Sequence, residues 1–172
     1  MLFTSAEAAK LLKEKKEAYE AILAKENLAS TFDASIGEAV EDARPAFAYS
    51  ETQEDLRKLE ADIRTIKHAI NCFNLSHEVP GFQMTVDQML IYIPQLTEMK
   101  KKYDKMRRRL PKQRKRNDGY LRSSNLVEYT YTNYPIEDAE KDYQEAAATL
   151  SKAQTAMDAL NSSERFEISI GQ

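Results

Sequence analysis

The chain has 172 residues, of which 42% are hydrophobic and 31% charged, and its formal net charge is −3. This length is typical of one domain with its own core, so residues 1–172 are expected to form a single domain. Only four glycines and five prolines are present, which favours long helices over an all-β fold with many turns. The single Cys72 excludes an internal disulfide and fits a reducing compartment.

Targeting and membrane signals are not found in the sequence. The N-terminal residues lack the apolar core of a signal peptide, and no run approaches the roughly 18 apolar residues that a membrane-spanning helix needs. We therefore expect a cytoplasmic protein without a membrane partner.

The first predicted element is a helix from Thr4 to Asn27, because Thr4 and Glu7 stand in the positions of a capping box. Apolar residues line one side of this helix: Ala8, Leu11, Leu12, Ala18, Tyr19, Ile22 and Leu23. Residues 28–49 show no firm period, which predicts a connector with a short helix near residues 38–43.

A second helix is predicted to open at Ser50, with Gln53 in the capping-box position, and to end near Asn74. Its apolar residues follow a heptad spacing: Leu56, Leu59, Ile63, Ile66, Ile70 and Phe73. Asn71 and Asn74 are interpreted as capping and turn residues. The segment Val79–Phe82 then predicts a type II turn.

A third helix is predicted from Thr85, with Gln88 in the capping-box position, and Pro111 ends it. Its heptad residues are Met89, Tyr92, Leu96, Met99, Tyr103, Met106 and Leu110. Pro94 removes one backbone hydrogen bond and predicts a kink. Residues 111–125 are predicted to form a basic loop.

The C-terminal third predicts a strand over residues 126–134, a fourth helix after Pro135 and a short strand over residues 165–170. The fourth helix also carries a heptad pattern: Ile136, Ala139, Tyr143, Ala146, Leu150, Ala153, Met157 and Leu160. The predicted fold is mainly α, an antiparallel four-helix bundle of coiled-coil-like helices with a small β element. We expect its two strands to pair with each other or with copies from another subunit.

The strongest functional signal is the basic segment, residues 100–116, which holds eleven basic residues and one acid. Its candidate phosphate contacts are Arg107, Arg108, Arg109, Lys112, Arg114, Lys115 and Arg116. Tyr103 and Tyr120 are candidates to stack on bases. The alternative is that the cations complement the end of the third helix and the protein's own acidic surface, since the rest of the chain carries −13.

Three tyrosines of the predicted strand, Tyr129, Tyr131 and Tyr134, are candidate subunit contacts, because aromatic residues on an edge strand often mark an interface. The alternative is that they cover the end of the core within one subunit.

No enzyme or cofactor is indicated by the motifs. His68, Cys72 and His77 do not predict a zinc site, because His77 lies in the connector and no fourth candidate ligand is near it in sequence. Neither histidine has a glutamate three residues before it, as a di-metal bundle site needs. Cys72 has no visible base, and no phosphate-binding glycine loop is present. We therefore predict no catalytic residue, no metal, no cofactor and no small-molecule substrate.

The segment from Ile70 to Leu96 resembles a family of bacterial helical proteins of unknown role, some of which carry the label septicolysin. The likeness rests on Ile70-Asn71-x-x-Asn74, a turn, and Thr85 opening a helix. The resemblance implies a helical bundle, and the label implies a cytolysin. The chain has no lysine-rich amphipathic helix with an aromatic face, so only the bundle is carried forward.

Taken together, the patterns predict an oligomeric structural or interaction protein that assembles with copies of itself. The alternative is a nucleic-acid-associated protein that binds phosphates through residues 100–116.

Overall fold

The computed structural model describes residues 1–115 and 127–170. The helices there are α1 (Ser5–Ala29), α2 (Val40–Ala43), α3 (Tyr49–Ser76), α4 (Val86–Arg107) and α5 (Ile136–Ser163). The strands are β1 (Leu2–Thr4), β2 (Glu78–Val79), β3 (Met84–Thr85), β4 (Lys112–Arg114), β5 (Tyr129–Tyr131) and β6 (Arg165–Glu167). They pair as β1 with β6, β2 with β3 and β4 with β5. The predicted fold class, mainly α with a small β element, is confirmed.

Two compact units divide the chain. The first comprises Met1–Glu78 and Ala159–Gln172, and the second comprises Val79–Asp158. The single four-helix bundle over residues 1–172 therefore stays a prediction.

In the first unit, α1 packs against α3. The predicted capping box opens α1, since Thr4 Oγ1 accepts from the Glu7 backbone at 3.2 Å and the Glu7 carboxylate accepts from the Thr4 backbone at 2.8 Å. Lys15 Nζ lies 2.7 Å from Asp62 Oδ2, and Tyr19 donates to Glu60 at 3.0 Å. These contacts join later residues of α1 to earlier residues of α3, so the two helices are antiparallel.

The core of the first unit lies beside the β1–β6 ribbon. Ala8, Ile66 and Ile168 are fully buried there. Around them pack half-buried apolar residues: Phe3, Leu11, Leu12, Ala69, Ile70, Phe166 and Ile170. Farther along the helix pair, Ile22 of the apolar side of α1 and the heptad residue Leu59 of α3 are only half-buried. The α1–α3 seam is therefore sealed at one end and partly open at the other.

The second unit begins with the predicted type II turn. Phe82 N donates to Val79 O at 3.2 Å, and Gly81 takes a φ of +84°, as the third position of this turn requires. The capping box predicted for α4 is present, with Thr85 Oγ1 accepting from Gln88 N at 3.3 Å. The helix continues through Pro94. Met89 and Leu96 of α4 are buried, and so are Ala139, Ala146, Leu150, Ala153 and Met157 of α5.

The predicted pairing of the two strands with each other is wrong, and their pairing with copies from another subunit stays a prediction. The strand predicted over residues 126–134 is confined to Tyr129–Tyr131 and pairs with β4, while the strand predicted over residues 165–170 is confined to Arg165–Glu167 and pairs with β1. Part of the predicted basic loop 111–125 is thus a strand, Lys112–Arg114, and residues 116–126 lie outside the described ranges. Thr132 N donates to Pro111 O at 3.1 Å, and this bond between residues 21 positions apart holds β5 beside β4.

The start of α3 also differs from the prediction. The helix begins at Tyr49 behind Ala48, which provides no side-chain cap. Gln53 forms no capping box and instead donates its amide to the Glu26 carboxylate of α1. The helix ends at Ser76, two residues past Asn74, where His77 N donates to Phe73 O at 3.1 Å.

Candidate functional site

The basic segment starts on the last two turns of α4, where Arg107 is held by acidic partners. Its guanidinium lies 2.7 Å from Asp104 Oδ1 and 3.0 Å from Glu140 Oε2 of α5. The same group sits 3.9 Å from the ring centre of Tyr143. Hydrogen bonds from Arg107 hold the pKa of Asp104 and of Glu140 below their ordinary values. Arg107 therefore joins the end of α4 to the start of α5, and the two helices are antiparallel.

Other cations of α4 also have acidic partners. Arg108 lies 3.0 Å from Asp104 Oδ2, and Lys101 lies 2.7 Å from Glu98 Oε1. These ion pairs agree with the alternative to phosphate binding, in which cations of the basic segment pair with acidic residues of the same chain. Within the described ranges, Arg109 and Arg114 show no side-chain partner.

The β4–β5 ribbon is anchored on the C-terminal end of α4. Tyr134 donates its hydroxyl to Met106 O at 2.9 Å, and Thr132 Oγ1 donates to Leu110 O at 2.9 Å. Met106 lies in the last turn of α4 and its carbonyl also accepts from Arg109 N at 3.2 Å, while Leu110 lies just beyond the helix, so the two bonds attach the ribbon to backbone carbonyls at the end of α4. Tyr134, predicted as a subunit contact, is thus half-buried and engaged within the chain.

Strand register brings cations and tyrosines onto one side of the ribbon. Lys112 is opposite Tyr131, and Arg114 is opposite Tyr129. Directly opposed residues and residues two apart share a face of a β-ladder. We call the surface formed by Lys112, Arg114, Tyr129 and Tyr131 the cationic-aromatic face.

The rings on the cationic-aromatic face are accessible. Tyr129 is 44% exposed and Tyr131 62% exposed, and their centres are 6.5 Å apart. Lys112 Nζ lies 4.0 Å from the centre of the Tyr129 ring and 5.5 Å from that of Tyr131. One ammonium group therefore sits over two exposed rings, an arrangement that the electrostatics of aromatic faces favours.

The acidic residue of the ribbon lies on the opposite face. Lys115 is paired with Glu128 through its backbone N–H at 3.0 Å and through its ammonium group at 2.8 Å. The hydrogen bond from Lys115 lowers the pKa of Glu128 and keeps this carboxylate charged. Of the predicted contacts, Lys115 is therefore neutralised and turned away from Lys112 and Arg114. Arg116 and Tyr120 lie outside the described ranges.

The cysteine and histidines do not form a common site. Cys72 is exposed, with its Sγ 3.6 Å from His68 Nε2. His77 instead stacks on Phe73, with ring centres 4.1 Å apart. Residues 1–115 and 127–170 contain no group of three His, Cys, Asp or Glu side chains arranged to hold a metal. Across the same ranges, every helix is too short or too polar to cross a membrane.

The sequence identified all four residues of the cationic-aromatic face as candidate contacts, but it did not predict that the two cations and the two tyrosines lie side by side. A signal was present in the alternation of Lys112-x-Arg114 and Tyr129-x-Tyr131, each of which places two side chains on one side of a strand. The contact of Arg107 with Tyr143 has no such signal, because it joins residues on two different helices.

Comparison with known proteins adds information on the fold. No protein-family model matches the sequence, and no curated protein matches it. A crystal structure of a functionally unknown conserved protein from Corynebacterium diphtheriae is similar, with a TM-score of 0.60 and 19% sequence identity. The alignment covers 97% of this chain and 100% of that protein. At this identity the similarity shows a shared fold and carries no function, and the resemblance to the septicolysin-labelled family stays a prediction.

Proposed function

We propose that the protein is a non-catalytic interaction protein that works as an assembly of identical subunits. The observation that carries this proposal is the incomplete burial of the α1–α3 seam, where the apolar residues Ile22 and Leu59 line an open groove and are only half-buried. Apolar surface of this kind contributes to stability when a partner removes it from water.

The open part of the α1–α3 seam is the surface that best fits a second copy. A groove of about 560 Å³ lies there, and its lining includes Ile22, Leu59, Ala61 and Thr65. The two helices of this pair leave Ile22 and Leu59 half-buried, whereas two such pairs packed together can form a four-helix arrangement with a closed core.

The charges around the groove also fit self-association. Lys15, Lys58, Asp55 and Asp62 line it, so positive and negative groups are balanced. A two-fold interface brings the same patch onto itself, so a patch of one sign would repel its copy, whereas this patch has no net charge and contains the internal Lys15–Asp62 pair. The cationic-aromatic face fits self-association less well than the groove does. In a two-fold contact, its Lys112 and Arg114 would approach the same two cations of the second copy.

The test is a molar-mass measurement by size-exclusion chromatography with light scattering. The wild-type protein is expected at twice 19.7 kDa or more at micromolar concentration. Ile22→Glu combined with Leu59→Glu places two charges in the groove and should reduce the mass to that of one chain.

A matched double variant separates the groove from a general effect of added charge. Leu28→Glu and Leu75→Glu lie on the same two helices at residues that are 84% and 64% exposed, so the assembly should keep its mass. Circular dichroism must show helical content equal to that of the wild type for both variants. A clean wild-type monomer at micromolar concentration would overturn the proposal.

Binding of nucleic acid through the whole segment 100–116 is the weaker candidate, since internal pairs occupy Arg107, Arg108 and Lys115. The cationic-aromatic face favours nucleic-acid binding by the β4–β5 ribbon alone rather than by the whole segment.

A further inference from the structure

We propose that the cationic-aromatic face of the β4–β5 ribbon binds single-stranded nucleic acid. This inference is independent of self-assembly, because it uses another part of the chain.

The first argument is the combination of groups on one face. Single strands are held by aromatic rings on which bases stack and by cations that contact the phosphates. Tyr129 and Tyr131 supply two exposed rings, and Lys112 and Arg114 supply two positive charges beside them. A surface for phosphate alone would not require the two rings.

The second argument is the separation of charge across the ribbon. Glu128 is the acid of the two paired segments, and it is engaged with Lys115 on the opposite face. A phosphate approaching Lys112 and Arg114 therefore meets no carboxylate from the ribbon itself. Glu128 therefore lies on the face of the ribbon that the phosphate does not contact.

The third argument concerns Lys112, whose ammonium group lies over the Tyr129 ring. An exposed cation–π contact of this kind is weaker than the stacking of a base on an aromatic ring. An incoming base can therefore displace the ammonium group from the ring, and the freed Lys112 remains within reach of the adjoining phosphate. Arg114, which has no side-chain partner among the described residues, needs no such release.

Unpaired strands fit this face better than a duplex does. The rings of a tyrosine pair stack only on bases that are not already stacked within a double helix. The ribbon has three residues in each strand and presents only two cations, so duplex phosphates alone would give it little affinity.

The experiment measures fluorescence anisotropy of labelled 12-nucleotide oligo-dT and oligo-U with the full-length protein at increasing salt. Two phosphate contacts predict that log K falls against log salt with a slope of about −1.4. Tyr129→Ala with Tyr131→Ala is expected to weaken binding about tenfold or more. The corresponding pair of Phe substitutions keeps the rings and should keep the affinity.

Charge variants on the two faces provide the matched comparison. Lys112→Gln should lower the magnitude of the salt slope by about 0.7. Lys115→Gln removes the same charge from the opposite face of the same ribbon and should leave the slope unchanged. Unchanged far-UV circular dichroism must accompany each variant.

Several results would overturn the proposal. They are the absence of binding to either oligonucleotide at low salt, equal losses for Lys112→Gln and Lys115→Gln, or full affinity in the double alanine variant. A fall in the molar mass of the double alanine variant to 19.7 kDa would mean that Tyr129 and Tyr131 form a subunit contact, and it would overturn the proposal as well.

Discussion

Arg107 shows how a cation in a basic run can serve the fold. Its side chain is 24% exposed and contacts Asp104, Glu140 and the Tyr143 ring together. A planar guanidinium can satisfy two carboxylates and stack on a ring at once, which an ammonium group does less well. The residue therefore holds the start of α5 against the end of α4, from which the ribbon extends.

The Arg107 contacts predict a stability that depends on acid pH. Hydrogen bonds from Arg107 lower the pKa of Asp104 from its ordinary 3.8 and that of Glu140 from its ordinary 4.5. Because the unfolded chain binds protons at the higher, ordinary values, the contribution of these carboxylates is complete at neutral pH. It is lost as the pH falls through the ordinary values and then the lowered ones.

The measurement is urea unfolding of the wild type and of Arg107→Gln between about pH 7 and about pH 3. The wild type should be the more stable protein at neutral pH, and the difference should shrink as the solution is acidified. Arg109→Gln removes an arginine without a side-chain partner among the described residues, so its effect should not vary with pH. A pH-independent difference for Arg107→Gln would refute this account.

At the scale of the element, helix α4 begins at a capping box that the sequence predicts and the structure contains. Thr85 Oγ1 accepts from Gln88 N, and the Gln88 side chain accepts from Thr85 N at 2.9 Å. Thr52 offers a contrast near the start of α3, since its hydroxyl donates to Ala48 O and satisfies no backbone N–H. The two threonines therefore allow a paired test of capping.

Thr85→Ala is expected to lower the free energy of unfolding by about 1 kcal/mol. The substitution removes the acceptor of Gln88 N, and it also weakens the reciprocal bond from the backbone N–H of residue 85 to the Gln88 side chain. Thr52→Ala should change it by less than about 0.5 kcal/mol, since a back-bonding threonine gives a helix no net support. Chemical denaturation of both variants checks the difference. Equal effects of the two substitutions would contradict a capping role for Thr85.

Helices and strands differ in how far the sequence predicts them. The heptad spacing from Leu56 to Phe73 identifies α3 because a long helix repeats its burial pattern many times. The strand Lys112–Arg114 has three exposed residues and no repeat, and its partner follows after an intervening segment. Pairing over such a distance depends on contacts such as Thr132 with Pro111, which no local pattern records.

The candidate site was likewise predictable in its residues but not in their arrangement. Its residues could be selected from composition, since Lys112 and Arg114 belong to a basic run and Tyr129 and Tyr131 to an aromatic one. Their meeting on one face depends on the register of β4 and β5, in which Lys112 opposes Tyr131. The neutralisation of Lys115 by Glu128 depends on that register too.

For the whole molecule, the proposed self-assembly would explain why apolar residues of α1 and α3 are incompletely buried in a single chain. Ile22 belongs to the apolar side of α1 and Leu59 to the heptad pattern of α3, yet both remain half-buried along the α1–α3 groove. Apolar area left in water contributes nothing to stability until a partner covers it, at about 25 cal/mol for each Å². The stability of the fold should therefore be linked to the concentration of the protein.

The thermal midpoint of the wild type is expected to rise with concentration, because association binds the folded state and not the unfolded one. A tenfold increase shifts a dimer by about 1.4 kcal/mol, which corresponds to a few degrees in Tm for a chain of this size. Scanning calorimetry over a tenfold range of concentration measures the shift. The variant with Ile22→Glu and Leu59→Glu should lose the dependence and melt at one temperature, whereas the variant with Leu28→Glu and Leu75→Glu should retain it. A wild-type Tm that does not change with concentration, together with a monomeric mass, would show that the groove remains open in solution.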